Sequence, residues 1–336
     1  MHAYIKGISY YLPPETFSNA DYFAEFPEQK NNPNLDRIGV QERRVVPMEV
    51  TSSDLGAEAA ETFFKEHSVD RSSIDFLLFC SLEFDHVMPG SCMVIHKKTN
   101  LPVRCGAMDV IGGCSGYIYS LSIAKGLIES SGFRNILLIT SSTLTKLIHP
   151  KDKASRFVFG DGAAATLISA REKSWGIGDF EFGSLSSHSE SIRIKDGGGR
   201  SPFSKNSYLD RADEYGNVTN DAHFYMDGPA VFNFGLKAVP ALISAVLEKS
   251  NVLMKDVDLF ILHQANLFLI DSIRKKAEIP EDKIFNFMGP VGNTASATIP
   301  IALYEARKAG RIKEGQIILL AGFGVGLSTG ATLIKV

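Results

Sequence analysis

Short apolar runs alternate with segments of helical periodicity along most of the chain. These runs show no polar alternation, which is typical of strands in a sheet covered by helices on both faces. The pattern predicts strands at 105–111, 135–141, 258–262 and 316–321, and helices over 115–130, 267–277 and 295–309. Pro300 lies inside the last predicted helix and is expected to shift its first turn. The sequence therefore predicts an α/β protein built from βαβ units.

The two halves of the chain repeat each other. Three segments of the first half return in the same order in the second: 73–78 as 256–261, 135–139 as 316–320, and 159–168 as 323–334. Such self-similarity is typical of a duplicated domain, and we place the two copies at 1–172 and 173–336. Residues 186–221 are polar and rich in Gly and Ser, so we expect a long surface excursion near the junction.

Composition narrows the class of protein. Hydrophobic residues make up 44% and charged residues 22%, as in globular proteins, which excludes disordered, collagen-like and coiled-coil chains. The 35 Lys and Arg against 38 Asp and Glu leave a net charge of −3, too balanced for a general nucleic-acid or membrane-surface binder. We expect no secretory leader and no membrane insertion, because the N-terminus lacks a long apolar run and glycines interrupt the charge-free window 317–334. We therefore expect a cytoplasmic protein.

Cys114 is the first candidate for chemistry. It follows Gly112 and Gly113 at the junction of a predicted strand and helix. A thiol at a helix N-terminus faces free amide groups and the positive end of the helix dipole, which favour the thiolate. A buried structural cysteine is the alternative. The four cysteines match neither a CxxC nor a zinc-site spacing, which suits a reducing compartment, and we expect the other three to pack in the core: Cys80, Cys92 and Cys105.

His263 and Asn293 are the second and third candidates. His263 comes directly after an apolar strand, where open α/β sheets place their active sites. Asn293 precedes a helix in Gly-Asn-Thr. The alternatives are a histidine hydrogen-bonded within a loop and a helix N-cap. Because Cys114, His263 and Asn293 each end a strand or open a helix, they could converge at one edge of the core.

Two glycine-rich turns, at 160–165 and 322–326, only loosely match a dinucleotide-binding loop. Neither is followed by a clear helix and an acidic residue about 20 positions on, so we do not expect a dinucleotide-binding site.

At this point the chain resembles the thiolase-fold condensing enzymes, most closely β-ketoacyl-acyl-carrier-protein synthase III. The Cys114 segment carries the resemblance together with segments spread over nearly the whole length: 7–13, 37–44, 159–164, 226–232, 263–266, 292–294 and 323–330. The resemblance implies a duplicated five-layer αβαβα architecture and a homodimer. It also implies an acyltransferase that loads an acyl group from acyl-CoA onto Cys114 and condenses it with a malonyl-type thioester. That reaction releases carbon dioxide and gives a 3-oxoacyl thioester.

The resemblance gives each candidate a role. Cys114 would be the nucleophile that holds the acyl group. The backbone amides of Cys114 and Val325 would form the oxyanion hole. His263 and Asn293 would hydrogen-bond the carbonyl of the malonyl thioester and stabilise the enolate. No metal or cofactor is implied, because decarboxylation generates the nucleophile; the thioester partner would ride on an acyl carrier protein or on CoA.

The chain also departs from the family. Arg37 matches a CoA-contacting position, but the tryptophan that stacks on adenine is missing, with Pro33 near that point. Lys153 falls near a second cationic contact for the nucleotide, and Met88 near a position that shapes the acyl pocket. These differences predict a specialised relative with altered donor recognition.

A basic run follows His263 at Arg274, Lys275 and Lys276, where the family presents positive charge to the carrier protein. An ordinary solvated helix face is the alternative. The arginine usually found five residues past His263 is replaced by Phe268.

Glu83 follows a predicted strand at about the place where 3-hydroxy-3-methylglutaryl-CoA synthase carries its acid/base glutamate. A surface or ion-paired glutamate is the alternative, and it is the one the sequence favours. Acyl transfer to an oxygen, nitrogen or sulfur acceptor, condensation without decarboxylation and a silent scaffold subunit remain alternative functions.

Overall fold

The computed structural model describes residues 1–172 and 176–336. The strands within these residues are β1 (His2–Tyr11), β2 (Thr16–Ser18), β3 (Glu42–Arg44), β4 (Phe76–Ser81), β5 (Gly106–Ile111), β6 (Asn135–Ser142), β7 (Gly162–Arg171), β8 (Ile177–Ser184), β9 (Ile192–Arg193), β10 (Arg211–Ala212), β11 (Val218–Thr219), β12 (Tyr225–Met226), β13 (Leu259–Leu262), β14 (Ile317–Gly324) and β15 (Ser328–Lys335). The α-helices are α1 (Asn19–Glu25), α2 (Pro33–Ile38), α3 (Ser52–His67), α4 (Ser91–Lys98), α5 (Gly116–Ser131), α6 (Lys153–Val158), α7 (Gly228–Lys249), α8 (Leu267–Lys276) and α9 (Thr298–Lys308).

Two mixed sheets form the frame, and they share one strand order. The first runs β1-β7-β6-β4-β5, and the second runs β8-β15-β14-β13. In both sheets the first two pairings are antiparallel and the third is parallel. The segments that echo each other in sequence thus occupy equivalent strands. The division of the chain at 172/173 stays a prediction, and residue 173 lies outside the described part of the chain.

The helices make three layers around the two sheets. α5 and α9 contact strands of both sheets and fill the space between them, with a shared apolar core. α3 and α4 cover the outer face of the first sheet, while α7 and α8 cover the outer face of the second. This order of layers is αβαβα, as the resemblance predicted. The carboxyl end of β5 and the start of α5 therefore lie beside the end of β14, where Gly324 approaches Cys114.

The apolar runs form the buried strands that they predict. β4, β6, β13 and β14 are buried along most of their length, and each lies between helices on both faces. The helix predicted over 295–309 divides into a short 3-10 turn at Ala295–Ala297 and α9, so Pro300 falls in the first turn, where a missing N–H costs nothing.

α7 is long enough and apolar enough to cross a membrane, judged by length and composition alone. Its apolar residues nevertheless pack on β8, β14 and β15, and Val239, Ile243 and Val246 are fully buried in the core. The buried face of α7 therefore packs on the second sheet, and it makes up 33% of the apolar window.

The excursion at 186–221 is largely exposed, as expected, but it is not only a surface segment. It contains the short strands β9, β10 and β11, and Ile192 at its start is buried in the core beneath α7. β9 pairs with β12, which holds this part of the excursion against the interior. The surface excursion therefore also contributes to the interior, since Ile192 and Ile194 line a cavity.

Candidate active site

A cavity of about 360 Å³ lies where the two sheets meet, a volume within the range of small-molecule sites. Cys114, His263 and Asn293 all line it. The rest of the wall is mainly apolar, with contributions from the excursion, α7, α8 and the segment after β6. The structure thus brings together three side chains that lie up to 179 positions apart in the sequence (114 to 293).

Cys114 lies in the short connection between β5 and α5, two residues before the first turn of the helix. Two close approaches fix it there. A Cβ at Gly324 would lie 2.9 Å from the Cys114 Sγ, and a Cβ at Gly322 would lie 3.0 Å from the Cys114 carbonyl oxygen. Glycine at both positions lets the second sheet pass directly against the thiol. The turn after Gly324 is held by Ser328, whose Oγ donates to the Val325 carbonyl oxygen at 2.7 Å.

The electrostatics of Cys114 differ from the expectation. Burial raises the pKa of the thiol to about 11, and the charge of Glu83 raises it further, while hydrogen bonds from the backbone N–H groups of Val325 and Cys114 oppose the shift. The amides favour the thiolate, as predicted for a helix N-terminus, but burial outweighs them and keeps the pKa above the ordinary cysteine value. The two amides that reach the sulfur are the pair predicted for the oxyanion hole.

His263 lies at the end of β13, in a loop that is held in place by hydrogen bonds from its neighbouring residues. Gln264 donates from Nε2 to the Leu262 carbonyl oxygen at 2.6 Å and accepts from the Phe287 N–H at 2.8 Å. Asn266 caps α8 by accepting from the Leu269 N–H at 2.8 Å. These hydrogen bonds hold the loop in the conformation that places the imidazole in the cavity wall.

His263 is 2% exposed, and burial lowers its pKa to about 3, so the ring is neutral at physiological pH. Its Nδ1 lies 2.7 Å from the hydroxyl oxygen of Thr298 at the start of α9. Its ring packs edge-on against Phe323, with 5.5 Å between centroids. Because the Thr298 hydroxyl engages Nδ1, the Nε2 of this neutral imidazole is available to hydrogen-bond a substrate.

Asn293 is held by its backbone and by its side chain. Its N–H donates to the Val158 carbonyl oxygen at 2.9 Å, and its own carbonyl accepts from the Gly160 N–H at 3.1 Å. The side-chain oxygen accepts from the Ala295 N–H at 2.9 Å, but Asn293 is the N-cap of neither the following 3-10 turn nor α9, so the capping alternative does not describe it. The amide nitrogen lies 3.4 Å from the Ala265 carbonyl oxygen, which leaves a second N–H for a ligand.

Glu83 lines the same cavity, two residues after β4. Its carboxylate accepts from the hydroxyls of Ser81 at 2.7 Å and Ser142 at 3.1 Å. Burial raises its pKa, and the two serine hydrogen bonds oppose that shift. The favoured alternative of a surface or ion-paired glutamate was wrong: no Lys, Arg or His among the described residues pairs with it.

The residues predicted to contact CoA lie outside the cavity. The Arg37 guanidinium stacks on the Phe268 ring at 3.9 Å, and Phe268 stacks on Phe232 of the cavity wall, with 5.2 Å between ring centroids. Arg37 therefore reaches the site through an aromatic stack. Lys153 pairs with Glu28 at 2.7 Å.

Met88 is 80% exposed and does not line the cavity of its own chain, so its part in shaping an acyl pocket stays a prediction. The segment after Glu83 turns outward into solvent, where Val87 is also fully exposed.

The basic run on α8 is partly neutralised. Arg274 pairs with Asp271 at 2.8 Å, and Lys275 pairs with the same carboxylate at 2.7 Å. Lys276 is exposed at the end of the helix. The prediction of a carrier-protein contact on this face therefore rests mainly on Lys275 and Lys276.

Sequence reasoning missed Thr298 and the serine pair that holds Glu83. Thr298 stands five residues after Asn293 in an unremarkable helix start, and only the packing of α9 beneath β13 brings it to His263. Ser81 and Ser142 end two neighbouring strands, and both parallel strands end at the same sheet edge. The strand ends were the one signal from which this pair was predictable.

Comparison with known proteins agrees with this geometry. Residues 108–186 match the family model of 3-oxoacyl-[acyl-carrier-protein (ACP)] synthase III, and residues 247–336 match the model of its C-terminal part. The β-ketoacyl-[acyl-carrier-protein] synthase III of Fusobacterium nucleatum is 31% identical over 331 residues, 98% of each chain. That of Clostridium perfringens is 32% identical over 334 residues, 99% of each chain. A crystal structure of a 3-oxoacyl-(acyl-carrier-protein) synthase III covers 100% of both chains at 37% identity, with a TM-score of 0.98.

Two sheets of equal strand order around shared helices, with a cysteine, a histidine and an asparagine in one cavity, define a condensing enzyme of the thiolase fold. The chain belongs to the β-ketoacyl-[acyl-carrier-protein] synthase III family. It is accordingly an acyltransferase, and the fold and family predicted from the resemblance are confirmed.

Proposed function

We propose that the protein transfers an acyl group from acyl-CoA to Cys114 and condenses it with a malonyl thioester, with loss of carbon dioxide. The observation that carries this proposal is the shared cavity of Cys114, His263 and Asn293, with two backbone amides directed at the sulfur. We place the reaction in the cytoplasm. The reaction needs no metal or cofactor, because breaking the bond between the malonyl α-carbon and its carboxylate supplies the carbon nucleophile.

In the first half-reaction the Cys114 thiol releases its proton to solvent and the sulfur attacks the thioester carbonyl carbon. The bond from that carbon to the CoA sulfur then breaks, and the CoA thiolate takes up a proton. Negative charge collects on the carbonyl oxygen in between. The amides of Cys114 and Val325 lower the pKa of the thiol by hydrogen bonding, and we assign to them the stabilisation of that oxygen.

In the second half-reaction the bond between the malonyl α-carbon and its carboxylate breaks, and the electron pair forms an enolate. The enolate carbon attacks the acyl carbon on Cys114, and the sulfur leaves and is reprotonated. The free N–H of the Asn293 amide and the Nε2 of His263 are placed to hold the enolate oxygen. Both are neutral, so each stabilises the developing charge by hydrogen bonding in a mainly apolar cavity.

Intact-mass spectrometry after incubation with short acyl-CoAs tests the first half-reaction. We expect a mass gain of one acyl group in the wild type and none in Cys114→Ser, where a weaker nucleophile replaces the thiol. Carbon dioxide release from malonyl-CoA and from malonyl carried on an acyl carrier protein tests the second. Undiminished release in Asn293→Ala, or no adduct with any donor, would contradict the proposal.

The partner for the exposed edge of the first sheet is proposed to be a second copy of this chain. β5 is paired only on its β4 side, and it carries Met108 and Ile111, which are 40% and 73% exposed. An unpaired edge with apolar side chains favours pairing with another strand. Sedimentation should show a dimer that Ile111→Asp weakens. Met48→Asp is the control and should leave the dimer intact, because Met48 is as exposed as Ile111 but lies away from this edge.

Lys275 and Lys276 are proposed to contact the acidic carrier protein. Charge reversal at Lys276 should raise the KM for the carrier-bound malonyl thioester and leave the KM for malonyl-CoA unchanged. Equal effects on both would assign the lysine to the solvated face of α8.

A further inference from the structure

Glu83 is the one carboxylate among the described residues that line the cavity. The wall around it is dominated by apolar side chains such as Leu82, Leu144 and Phe159. Polar groups are costly in such surroundings unless each finds a hydrogen-bond partner. A carboxylate at this position therefore calls for a partner.

The protein supplies only part of that partnership. One carboxylate oxygen accepts from Ser81 and the other from Ser142, and each oxygen has a further lone pair. No ion pair to a described Lys, Arg or His neutralises the group. The two serines fix the direction of the carboxylate. Together with the backbone N–H groups of Leu82 and Glu83 they offset only part of the cost of burial, because the pKa of Glu83 stays raised.

The cavity places this acceptor within reach of the acyl group. Glu83 and Cys114 line the same cavity of about 360 Å³, so the carboxylate borders the space that a group carried on the sulfur would occupy. Ser142, which holds one oxygen of Glu83, also accepts from the N–H of Leu144, an apolar residue of the same wall. The acceptor and a group carried on Cys114 therefore face the same cavity.

A plain hydrocarbon chain at this place would remove water from Glu83 and offer no hydrogen bond in return. A hydroxyl on the second or third carbon of the acyl group would donate to the carboxylate and replace the lost water. Sites built to hydrogen-bond a substrate hydroxyl discriminate strongly against analogues that lack it.

We propose that Glu83 makes this enzyme selective for acyl donors that carry a hydroxyl group close to the thioester carbonyl. The proposal rests on the loading of Cys114 from acyl-CoA put forward above. It names the class of acyl group, which neither the catalytic residues nor the family determines.

The experiment compares butyryl-CoA with 2-hydroxybutyryl-CoA and 3-hydroxybutyryl-CoA, which differ by one oxygen. The initial rate of adduct formation on Cys114 is followed by intact mass at equal, subsaturating concentrations. We expect the wild type to load at least one hydroxy donor about 10- to 100-fold faster than butyryl-CoA, the range for a hydrogen bond to a charged group. Glu83→Leu should abolish or invert this ratio, because it replaces the acceptor with an apolar side chain.

Glu83→Gln is the isosteric variant should the leucine variant fail to fold, and it should lower the ratio because its amide keeps one acceptor oxygen. Glu314→Leu is the matched control at an exposed glutamate outside the cavity, and its ratio should equal that of the wild type.

Equal loading of all three donors by the wild type would overturn the proposal, and so would an unchanged ratio in Glu83→Leu. A uniform fall with every donor in both Glu83 variants would also overturn it and would assign the carboxylate an acid/base role instead. Absence of any adduct in the wild type would refute the proposed function itself, so the two failures are distinguishable.

Discussion

The hydroxyl oxygen of Thr298 lies 2.7 Å from the Nδ1 of His263 and 3.1 Å from the Ala295 carbonyl oxygen. A hydroxyl has one proton, so it can donate to only one of these two acceptors. When it donates to Nδ1, the imidazole carries its own proton on Nε2 and can donate to an enolate oxygen. When it donates to Ala295, Nε2 is an acceptor. Thr298 thus sets which tautomer of His263 faces the cavity.

Removal of the Thr298 hydroxyl should slow decarboxylation and spare acylation. Thr298→Val keeps the shape of the side chain but cannot donate to Nδ1, so we expect about a tenfold fall in carbon dioxide release, the value of one hydrogen bond. Thr298→Ser restores the donor and should recover most of the rate. Acyl loading of Cys114, measured by mass, serves as the internal control. Equal losses in both half-reactions would contradict a role through His263.

Alkylation of Cys114 should report its raised pKa. With a pKa of about 11, the thiolate fraction and the rate of modification by iodoacetamide rise about tenfold per pH unit up to that value. Glu83→Gln removes a charge that raises the pKa, so the rate near pH 8 should increase. A plateau below about pH 8 in the wild type would show that the helix N-terminus prevails over burial.

The close approach of Gly324 to the thiol should tolerate no side chain. Gly324 has φ of +156°, and an alanine Cβ there would lie 2.6 Å from the Cys114 Cβ. We expect Gly324→Ala to displace the nucleophile and reduce acyl loading about 100-fold, as small misplacements at reacting centres do. Gly126→Ala in α5 is the matched control: its Cβ meets nothing within 4 Å. The control should keep its activity and gain up to about 1 kcal/mol of stability from helix propensity. Full activity in Gly324→Ala would contradict the packing described here.

His263 should make the fold sensitive to acid. Its pKa is about 3 in the folded protein and 6.5 for an unperturbed histidine. Between these values the unfolded chain binds a proton that the native state does not, so stability falls as the pH is lowered. Relative to His263→Asn, the wild type should lose about 1.4 kcal/mol in free energy of unfolding per pH unit from about pH 6 to about pH 4. If the denaturation midpoints of the two proteins changed equally with pH across this range, the result would contradict a buried neutral imidazole.

Much of the fold was predictable from sequence because the strands are apolar runs of one kind. Leu259–Leu262 and Asn135–Ser142 could be identified, since a strand buried on both faces needs apolar residues at every position. Cys114, His263 and Asn293 could be predicted as a set, because each stands where a strand ends or a helix begins. The charge state of Cys114 was not predictable in this way. It depends on how much of the thiol the second sheet covers, and that contact joins Cys114 to Gly324.

The surroundings of Glu83 were equally out of reach of the sequence. A glutamate after a strand usually faces water, and only the positions of Ser81 and Ser142 on parallel strands show that this one turns inward. The same holds for Ile192, whose polar neighbours indicate a surface loop although the side chain closes the cavity.

The meeting of the two sheets at Cys114 has a consequence for how activity is acquired during folding. The nucleophile belongs to the first sheet, whereas His263 and the Val325 amide belong to the second. Ser296, in the turn before α9, lies 3.3 Å from the Cys80 carbonyl oxygen and 3.1 Å from that of Ser141, and its single hydroxyl proton links this turn to the first sheet through one of them at a time. Each sheet can complete its own strand pairing before the other has docked, but no partly assembled chain has an oxyanion hole. Recovery of acyl loading after dilution from denaturant therefore times the docking of the sheets, and secondary structure can return before it.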